Sequence, residues 1–357
     1  MDGITFKGDQ LFCESVSLTS IAASSGTPVY VYSNQMIVDS CKAIEGAFGG
    51  QPHVTFYAVK ANGNRQILRL IAQAGLGADV GSRGELYLAL EAGFSPAKIT
   101  FSGVGKRDDE ISYALEKEIL AFHIESLQEL DVLNELAGSM GARARVFLRV
   151  NLDIDAGGHA YISTSRKQNK FGIPVSQVRG VIARALEMSH IELAGVHSHL
   201  GSQITKVEVF LQGARALASL VRDLRVEGVV LTDLDFGGGF GVRHRGVVSH
   251  PLLPEEQMGA GYLPAPEVIR RVLPVLRETG CRLSIQPGRC IVAEAGVLVT
   301  RVLYRKETDG KIFVVVDGGM NDLIRPSLYN AHHQIVPLKV SGSAHETVDV
   351  VGPVCES

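Results

Sequence analysis

Four short segments of the chain contain the residues that could do chemistry. Lys60 ends an apolar run in FYAVKANGN, and His199 lies in HSHLGSQ. Three glycines, residues 237–239, follow the apolar run VVLTDLDF, and QPGR covers residues 286–289. Lysine supplies a primary amine and histidine a flat ring, while the glycines and the arginine supply N–H donors for an anion. Together they predict a site for a molecule that carries both a reactive carbonyl and a phosphate.

Each of these residues also has an ordinary structural explanation. Lys60 could extend its ammonium from the edge of a core into water. A run of glycines is often only a tight turn, and His197, two positions before His199, fits a structural histidine. The combination is more specific than its parts, because an amine forms a Schiff base with an aldehyde. Pyridoxal 5′-phosphate, a phosphorylated aldehyde, would use the amine, the ring and the anion site.

The elements that must position these residues alternate along the chain. Eight apolar runs are typical of strands: HVTFYAVKA, GLGADVGS, KITFSG, LAFHIES, ARVFLRVN, ELAGVHSHLGS, VVLTDLDFGGGF and RLSIQPGRC. Stretches such as RQILRLIAQA and VFLQGARALASLVRDL lie between them, with apolar residues at helical spacing. This alternation predicts an α/β fold, a (β/α)8 TIM-type barrel, with a doubly wound sheet as the alternative. In such a barrel the strand C-termini carry the functional residues, and phosphates lie after strands seven and eight.

The pattern changes at about residue 297. There VLVTRVLYRK, KIFVVVDGG, IVPLKV and TVDVVGP read as strands with polar turns and without helices between them. Together with the N-terminal runs ITF and LFCESVSL, they predict a second, β-rich domain formed by C-terminal and N-terminal strands. We assign residues 1–32 to the N-terminal strands, 33–280 to the cofactor-binding barrel with its last strand running to about 296, and 297–357 to the β-rich domain. Because VVGPVCES ends just after a strand, we expect this domain to be truncated and the chain to be a fragment.

Composition indicates the kind of partner. The 35 basic and 38 acidic residues are dispersed and give a net charge of −3, so nothing favours nucleic acid or a membrane surface. No apolar run approaches the ~20 residues of a membrane span, and the N-terminus lacks a signal pattern. The five cysteines are scattered without CxxC pairs, which is typical of a reducing compartment and argues against a zinc site. We therefore expect a cytoplasmic protein that binds a small molecule and no metal.

Several motifs together identify a family. YAVKAN, HAYISTSRKQNKFGI, HSHLGSQ, DFGGGFG, PGR, DGGMNDLIRPSLYNA and CES resemble the diaminopimelate decarboxylases over essentially the whole chain. These are fold-type III pyridoxal-phosphate decarboxylases related to alanine racemase. YAVKAN and GGGFG are shared with decarboxylases of ornithine and arginine, whereas HAYISTSRKQNKFGI, HSHLGSQ and RPSLY are closer to the diaminopimelate branch. The resemblance implies decarboxylation of meso-2,6-diaminopimelate to L-lysine and carbon dioxide, the last step of lysine biosynthesis.

The resemblance also implies roles for individual residues. Lys60 would hold the cofactor aldehyde as a Schiff base, and His199 would stack on the pyridine ring. The other cofactor-binding positions are Asp79, Ser202, Gly238, Gly239, Gln286, Gly288 and Arg289. The distal end of the substrate would be held by Arg289, Arg325, Tyr329 and Glu356. Cys355 would donate or accept a proton at the reacting carbon, and Cys355 and Glu356 would reach the site of a partner subunit in a homodimer. The plainer alternatives are a buried apolar Cys355 and a surface Arg325.

Two departures from the family pattern bear on activity. Gln286 stands where the family has glutamate, whose carboxylate faces the pyridine nitrogen and keeps it protonated. We expect the neutral amide to weaken the decarboxylase, so that Gln286→Glu would raise its rate. The chain also stops at Ser357, whereas family members continue through further strands and a segment with a tyrosine that contacts the cofactor phosphate.

Two other kinds of function remain open from the sequence. One is a different enzyme of the same fold, either a decarboxylase of arginine, ornithine or carboxynorspermidine or an amino acid racemase, although a racemase would need a tyrosine base opposite Lys60. The other is an impaired or non-catalytic protein that binds pyridoxal phosphate. Gln286 and the missing tail favour this alternative, whereas the presence of most of a second domain argues against it. The sequence contains no HExxH, no P-loop and no GxGxxG opening a helix.

Overall fold

The computed structural model describes residues 3–155, 169–244, 246–251, 262–340, 342 and 346–355. They divide into two compact units. The barrel unit comprises Ile37–Val242 and Gly261–Val292, and the β unit comprises Met1–Met36, Arg243–Ala260 and Ala293–Ser357. The sequence pattern did not indicate that a segment beginning at Arg243 groups with the chain ends rather than with the barrel.

The described residues form strands and helices with the following bounds. The strands are β1 (Ile4–Lys7), β2 (Gln10–Cys13), β3 (Val16–Ser17), β4 (Val29–Tyr32), β5 (His53–Ala58), β6 (Gly77–Val80), β7 (Ile99–Phe101), β8 (Ala121–Ile124), β9 (Ala144–Asn151), β10 (Ile173–Pro174), β11 (Ile191–His197), β12 (Asp233–Asp235), β13 (Arg282–Ile285), β14 (Gly296–Val299), β15 (Val302–Thr308), β16 (Lys311–Val316) and β17 (Asp349–Val351). The helices are α1 (Leu18–Ser25), α2 (Asn34–Gly46), α3 (Arg65–Gln73), α4 (Arg83–Ala92), α5 (Asp108–Glu116), α6 (Leu127–Ser139), α7 (Val175–Glu187), α8 (Val207–Val226), α9 (Ala265–Arg277), α10 (Arg289–Val292) and α11 (Arg325–Tyr329).

Eight parallel strands close into the predicted barrel. They follow the order β5, β6, β7, β8, β9, β11, β12 and β13, and β13 pairs with β5 to close the ring. The short strand β10 pairs with the end of β9. Every residue of β6 and β8 is buried, as expected for parallel strands that are covered on both faces. The barrel prediction is therefore confirmed, and the doubly wound alternative is wrong.

The barrel helices cover the strands with one apolar face. In α8, the buried residues Phe210, Leu217 and Leu224 recur every seven positions, so they line a single stripe of the helix. Two of these helices begin at a serine that lies two residues after a strand end. Ser82 caps α4 by accepting a hydrogen bond from the Glu85 N–H, and Ser126 caps α6 in the same way. The loops at the strand C-termini are thus tied to the helices that follow.

The described residues of the β unit form three small sheets. The antiparallel sheet β1–β2–β3 is one, β14 pairs antiparallel with β4 from the N-terminal segment, and β15, β16 and β17 form the third. Buried residues from both chain ends share one core, including Leu11, Leu18, Val31 and Val299. The second β-rich region predicted from both chain ends is therefore confirmed.

Some details of the β unit differ from the sequence-based prediction. The predicted strand VLVTRVLYRK is two strands, because β14 pairs with β4 whereas β15 pairs with β16. The run IVPLKV, residues 335–340, forms only an isolated bridge between Lys339 and Gln10. A short helix, α11, occurs in the region predicted to have none, and Pro326 in its first turn fits a helix start.

Candidate active site

Lys60 lies directly beyond the C-terminal end of β5. The strand ends at Ala58, and a single 3-10 turn, Val59–Ala61, carries Lys60 with its side chain exposed. The end of β13 packs closely against this turn, since the Ala58 N–H donates to the Pro287 carbonyl at 3.0 Å. A Cβ on Gly288 would lie 3.0 Å from Ala61 Cβ, so glycine permits this approach. The predicted amine is therefore accessible and adjoins the QPGR segment.

His199 lies two residues beyond the end of β11. It is half-buried, and its Nδ1 accepts a hydrogen bond from the Gly238 N–H at 3.2 Å. Enclosure by the surrounding protein lowers the pKa of His199 well below its usual value, and the cations of Lys60 and Arg149 lower it further. His199 is thus a neutral imidazole with its hydrogen on Nε2.

The glycine run has a packing role as well as the predicted one. A Cβ on Gly238 would lie 2.1 Å from the Gln286 carbonyl oxygen, and a Cβ on Gly239 would lie 2.2 Å from the Gly201 carbonyl oxygen. Of the backbone N–H groups, that of Gly237 donates to Asp235 and that of Gly238 donates to His199. The sequence suggested that these N–H groups would face an anion, whereas the structure uses two of them to hold neighbouring side chains.

Two of the predicted phosphate-binding side chains lie within contact distance of each other. Arg289 Nη2 donates to Ser202 Oγ at 3.3 Å. Ser202 follows β11 and Arg289 begins α10 after β13, so these donors come from the ends of two strands. A guanidinium and a hydroxyl are donors suited to a phosphate, and Lys60 supplies an amine for an aldehyde. The donor set therefore fits pyridoxal phosphate.

Beneath the mouth, the barrel interior contains a layer of buried polar side chains. Asp79 is 3 % exposed, Gln286 is 5 % exposed, and Asp235 and His123 are fully buried. The Gln286 amide nitrogen lies 3.2 Å from Asp79 Oδ1 and 3.2 Å from Asp235 Oδ2. The resemblance made Asp79 a cofactor-binding position, and the structure buries its carboxylate in this layer, where it accepts a hydrogen bond from the Gln286 amide. Sequence reasoning did not single out His123 or Asp235, although each is a polar residue inside a buried strand.

A second buried pair supports the layer from one side. Arg149 Nη1 donates to Glu125 Oε1 at 2.5 Å, and the Gly172 N–H donates to Glu125 Oε2 at 2.7 Å. The buried His197 ring lies with its centroid 4.3 Å from that of His123. Burial lowers the pKa of His197 well below its usual value, with smaller contributions from His123 and Arg149. His197 is therefore a neutral structural residue, in line with the plainer reading of its position.

The remaining predicted residues belong to the β unit. Arg325 begins α11, its Nη2 lies 3.4 Å from His244 Nε2, and its guanidinium carbon lies 5.6 Å from the centre of the Tyr329 ring. Partial burial lowers the pKa of Arg325, so it is not a simple surface cation. Cys355 is exposed in the single chain. Glu356 and most of the HAYISTSRKQNKFGI motif lie outside the described residues.

Within the described part of the chain, His, Cys, Asp and Glu residues do not gather into any group of three that could hold a metal ion. Among the same residues, no helix is both long enough and apolar enough to cross a membrane.

Comparison with known proteins places the chain in a family. Residues 34–293 match the family described as pyridoxal-dependent decarboxylase, pyridoxal binding domain. The diaminopimelate decarboxylase of Pseudomonas aeruginosa is 44 % identical over 357 residues, which are all of this chain and 83 % of that protein. The chain belongs to the diaminopimelate decarboxylase family. The family predicted from the motifs is thus confirmed, as is its cofactor, pyridoxal 5′-phosphate.

Solved structures of this family agree with the fold. The crystal structure of diaminopimelate decarboxylase from Helicobacter pylori complexed with L-lysine is 38 % identical, covers 95 % of this chain and 82 % of its own, and has a TM-score of 0.86. That of M. jannaschii in co-complex with L-lysine is 34 % identical, covers 100 % of this chain and 82 % of its own, and has a TM-score of 0.88. The similarity therefore extends through both units and not only through the barrel.

Proposed function

We propose that the protein removes one carboxylate from meso-2,6-diaminopimelate and yields L-lysine and carbon dioxide. The observation that carries this proposal is the meeting of Lys60, His199 and the Arg289–Ser202 pair at the C-terminal ends of barrel strands. They occur in a chain 44 % identical to a diaminopimelate decarboxylase over its full length. Two related structures contain L-lysine, which is the product of this reaction.

Different side chains of the barrel would hold different parts of the cofactor. Lys60 would hold the aldehyde carbon, and the neutral ring of His199 would lie against the flat face of the cofactor. The phosphate would be bound by Ser202, Gly239, Gly288 and Arg289, while the Gly238 N–H would orient the His199 ring. Gln286, backed by Asp79, would face the ring nitrogen. When bound, pyridoxal phosphate supplies an electron sink for the carbanion that loss of carbon dioxide leaves.

The β unit would supply the groups that recognise the substrate. Diaminopimelate has an amino acid group at both ends, so a carboxylate remains at the end that does not react. Arg325, which is half-buried, offers a guanidinium for that carboxylate, with Arg289, Tyr329 and Glu356 as further contacts. Such a site disfavours a simple diamine precursor, because its buried polar groups would be left unpaired.

The reaction also needs a proton at the carbon that loses the carboxylate. Cys355 is an exposed free thiol near the end of the chain, and we assign it and Glu356 to the site of a partner subunit in a homodimer. A thiol that is buried on dimerisation and directed at the reacting carbon would return the proton. Cys13, Cys41 and Cys281 are buried thiols that form no disulfide, which supports a reducing, cytoplasmic location.

A panel of amino acids tests the function. The cofactor-loaded protein is given meso-diaminopimelate, L-lysine, L-ornithine and L-arginine, and both carbon dioxide and the amine product are quantified. Release from diaminopimelate alone, with one L-lysine per carbon dioxide, supports the proposal. Release from ornithine or arginine instead would assign a different decarboxylase. A loaded protein that releases nothing from any of the four would be a non-catalytic binder.

A further inference from the structure

The side-chain amide of Gln286 is clamped between two buried carboxylates. Its Nε2 lies 3.2 Å from Asp79 Oδ1 and 3.2 Å from Asp235 Oδ2. The three residues come from the ends of β6, β12 and β13, and all are at least 95 % buried. The backbone of Gln286 is fixed as well, because its N–H donates to the Gly237 carbonyl at 2.7 Å.

The carboxylates determine which way the amide faces. An ionised carboxylate only accepts hydrogen bonds, whereas an amide has donors on nitrogen and an acceptor on oxygen. The reverse orientation would place the Gln286 carbonyl oxygen against two carboxylate oxygens. Both amide hydrogens are therefore used toward Asp79 and Asp235, and Oε1 is the polar atom that remains available.

The neighbours of Asp79 keep its carboxylate an acceptor. Thr100 Oγ1 donates to Asp79 Oδ1 at 3.2 Å, and Ser102 Oγ donates to the same oxygen at 2.5 Å. Because the Ser102 hydroxyl donates its one hydrogen to Asp79, its oxygen accepts a hydrogen bond from His123 Nδ1 at 2.8 Å. His123 Nδ1 thus carries a hydrogen, and its 3.4 Å approach to Gln286 Nε2 is a contact between two donors and not a hydrogen bond.

The Asp235 carboxylate is also a hydrogen-bond acceptor. Its Oδ1 accepts from the Gly237 N–H at 2.8 Å, while Oδ2 receives the Gln286 amide. His123 Nε2 lies 3.2 Å from Oδ2 but is not aligned for a hydrogen bond. Of these partners, only His123 Nδ1 could offer a hydrogen to a flipped amide, and at 3.4 Å this one long contact would replace the two hydrogen bonds to Asp79 and Asp235.

We propose that Asp79 and Asp235 are positioning residues that lock the Gln286 amide, so that Gln286 offers only its carbonyl oxygen, a hydrogen-bond acceptor, to the ring nitrogen of bound pyridoxal phosphate. This inference rests on the cofactor site proposed above. An acceptor is satisfied there only when the ring nitrogen carries a hydrogen, and the two carboxylates behind the amide place negative charge on the same side. The protonated ring is thus favoured without a carboxylate at position 286.

The arrangement gives a physical reason for glutamine at this position. The sequence analysis took Gln286 by itself, so the amide counted as a loss of negative charge. In the structure that charge is already present in Asp79 and Asp235. A glutamate at position 286 would bring a third carboxylate next to these two.

Nuclear magnetic resonance of ring-labelled cofactor tests this directly. The protein is loaded with pyridoxal phosphate that carries ¹⁵N in the ring, and the chemical shift of that nitrogen is followed from pH 6 to pH 9. Four chains are compared: the unaltered protein, Gln286→Met, Asp235→Asn, and the control Asp131→Asn, which changes a carboxylate on helix α6.

We expect the ring nitrogen to stay protonated at pH 8 in the unaltered and control proteins. In Gln286→Met the protonated fraction at pH 8 should fall at least tenfold, because the acceptor is gone. It should fall severalfold in Asp235→Asn, because the amide is free to turn and present N–H. A deprotonated ring nitrogen in the unaltered protein, or an unchanged fraction in Gln286→Met, would overturn the inference.

A measurement of cofactor loading distinguishes a failure of this inference from a failure of the proposed cofactor site. The visible absorption band of the bound cofactor reports loading independently of the ring nitrogen. A band with a deprotonated ring nitrogen overturns only the inference about Gln286. Absence of a band in the unaltered protein overturns the cofactor site and this inference with it.

Discussion

The Gly238 N–H donates to His199 Nδ1 across 3.2 Å, and this bond fixes both the tautomer and the orientation of the ring. A backbone N–H can only donate, so Nδ1 carries no hydrogen. The same contact joins the end of β11 to the glycine run after β12. One hydrogen bond therefore links two of the four segments that the sequence singled out.

Two replacements of His199 separate stacking from hydrogen bonding. His199→Phe keeps a flat ring and loses the bond to Gly238, which is worth about 1 kcal/mol. His199→Ala loses the ring as well. We expect cofactor affinity to fall about fivefold in His199→Phe and at least tenfold further in His199→Ala, measured by titration of the visible band. Equal losses in both variants would contradict a stacking role.

The buried His197 predicts a pH dependence of stability. Its pKa is lowered in the folded state, whereas in the unfolded chain it lies near 6.5, so only the unfolded state gains a proton as the pH falls below about 6.5. Stability should therefore decrease toward low pH, by about 1.4 kcal/mol per pH unit for this one group. Urea unfolding of His197→Asn between pH 7 and pH 5 should show a slope that is smaller by this amount. The account fails if the two slopes are the same.

The packing at Gly238 predicts a sharp response to one methyl group. The added Cβ would lie 2.1 Å from the Gln286 carbonyl oxygen, so the backbone must move. We expect Gly238→Ala to cost about 1 to 3 kcal/mol in unfolding free energy and to weaken cofactor binding. The matched control is Gly180→Ala in α7, where nothing lies within 4 Å and alanine favours the helix. If both variants unfold at the same urea concentration, the close packing is not real.

A third carboxylate at position 286 should destabilise the cofactor-free protein. Burial and the neighbouring Asp79 and Asp235 would raise the pKa of the new carboxyl above its unfolded value of about 4.3. Its protonated form is favoured in the fold, so stability is retained at low pH and lost as the pH rises. We expect Gln286→Glu to unfold at a lower urea concentration than the unaltered chain at pH 8, with a smaller difference at pH 5. Gln128→Glu, on the exposed side of α6, is the control, and a pH-independent difference would contradict the clamp.

Some of the site could be predicted from the sequence because barrel topology is a strong rule. Parallel strands bring their C-terminal ends to one face, so Lys60 and His199 could be placed together without knowing any distance. The clamp around Gln286 could not, because Asp79 and Gln286 are 207 residues apart and nothing in either segment indicates the other. The glycine run was interpreted through anion binding, since tight backbone packing leaves no distinct sequence pattern.

The β unit was less predictable for a related reason. Its sheets pair segments from opposite ends of the chain, as when β4 pairs with β14. Strand-like runs such as IVPLKV have the right composition, but the partner decides whether a strand forms. That run has only a bridge to Gln10.

Borohydride reduction of the cofactor-loaded protein, followed by peptide mass spectrometry, tests most directly whether Lys60 is the centre of the site. Reduction fixes a covalently held aldehyde as a stable secondary amine, which marks the residue that held it. We predict one pyridoxyl group per chain on the peptide containing Lys60, none in Lys60→Ala, and full labelling in the control Lys42→Ala. A label on another lysine, such as Lys106, or a label that persists in Lys60→Ala, would contradict the account.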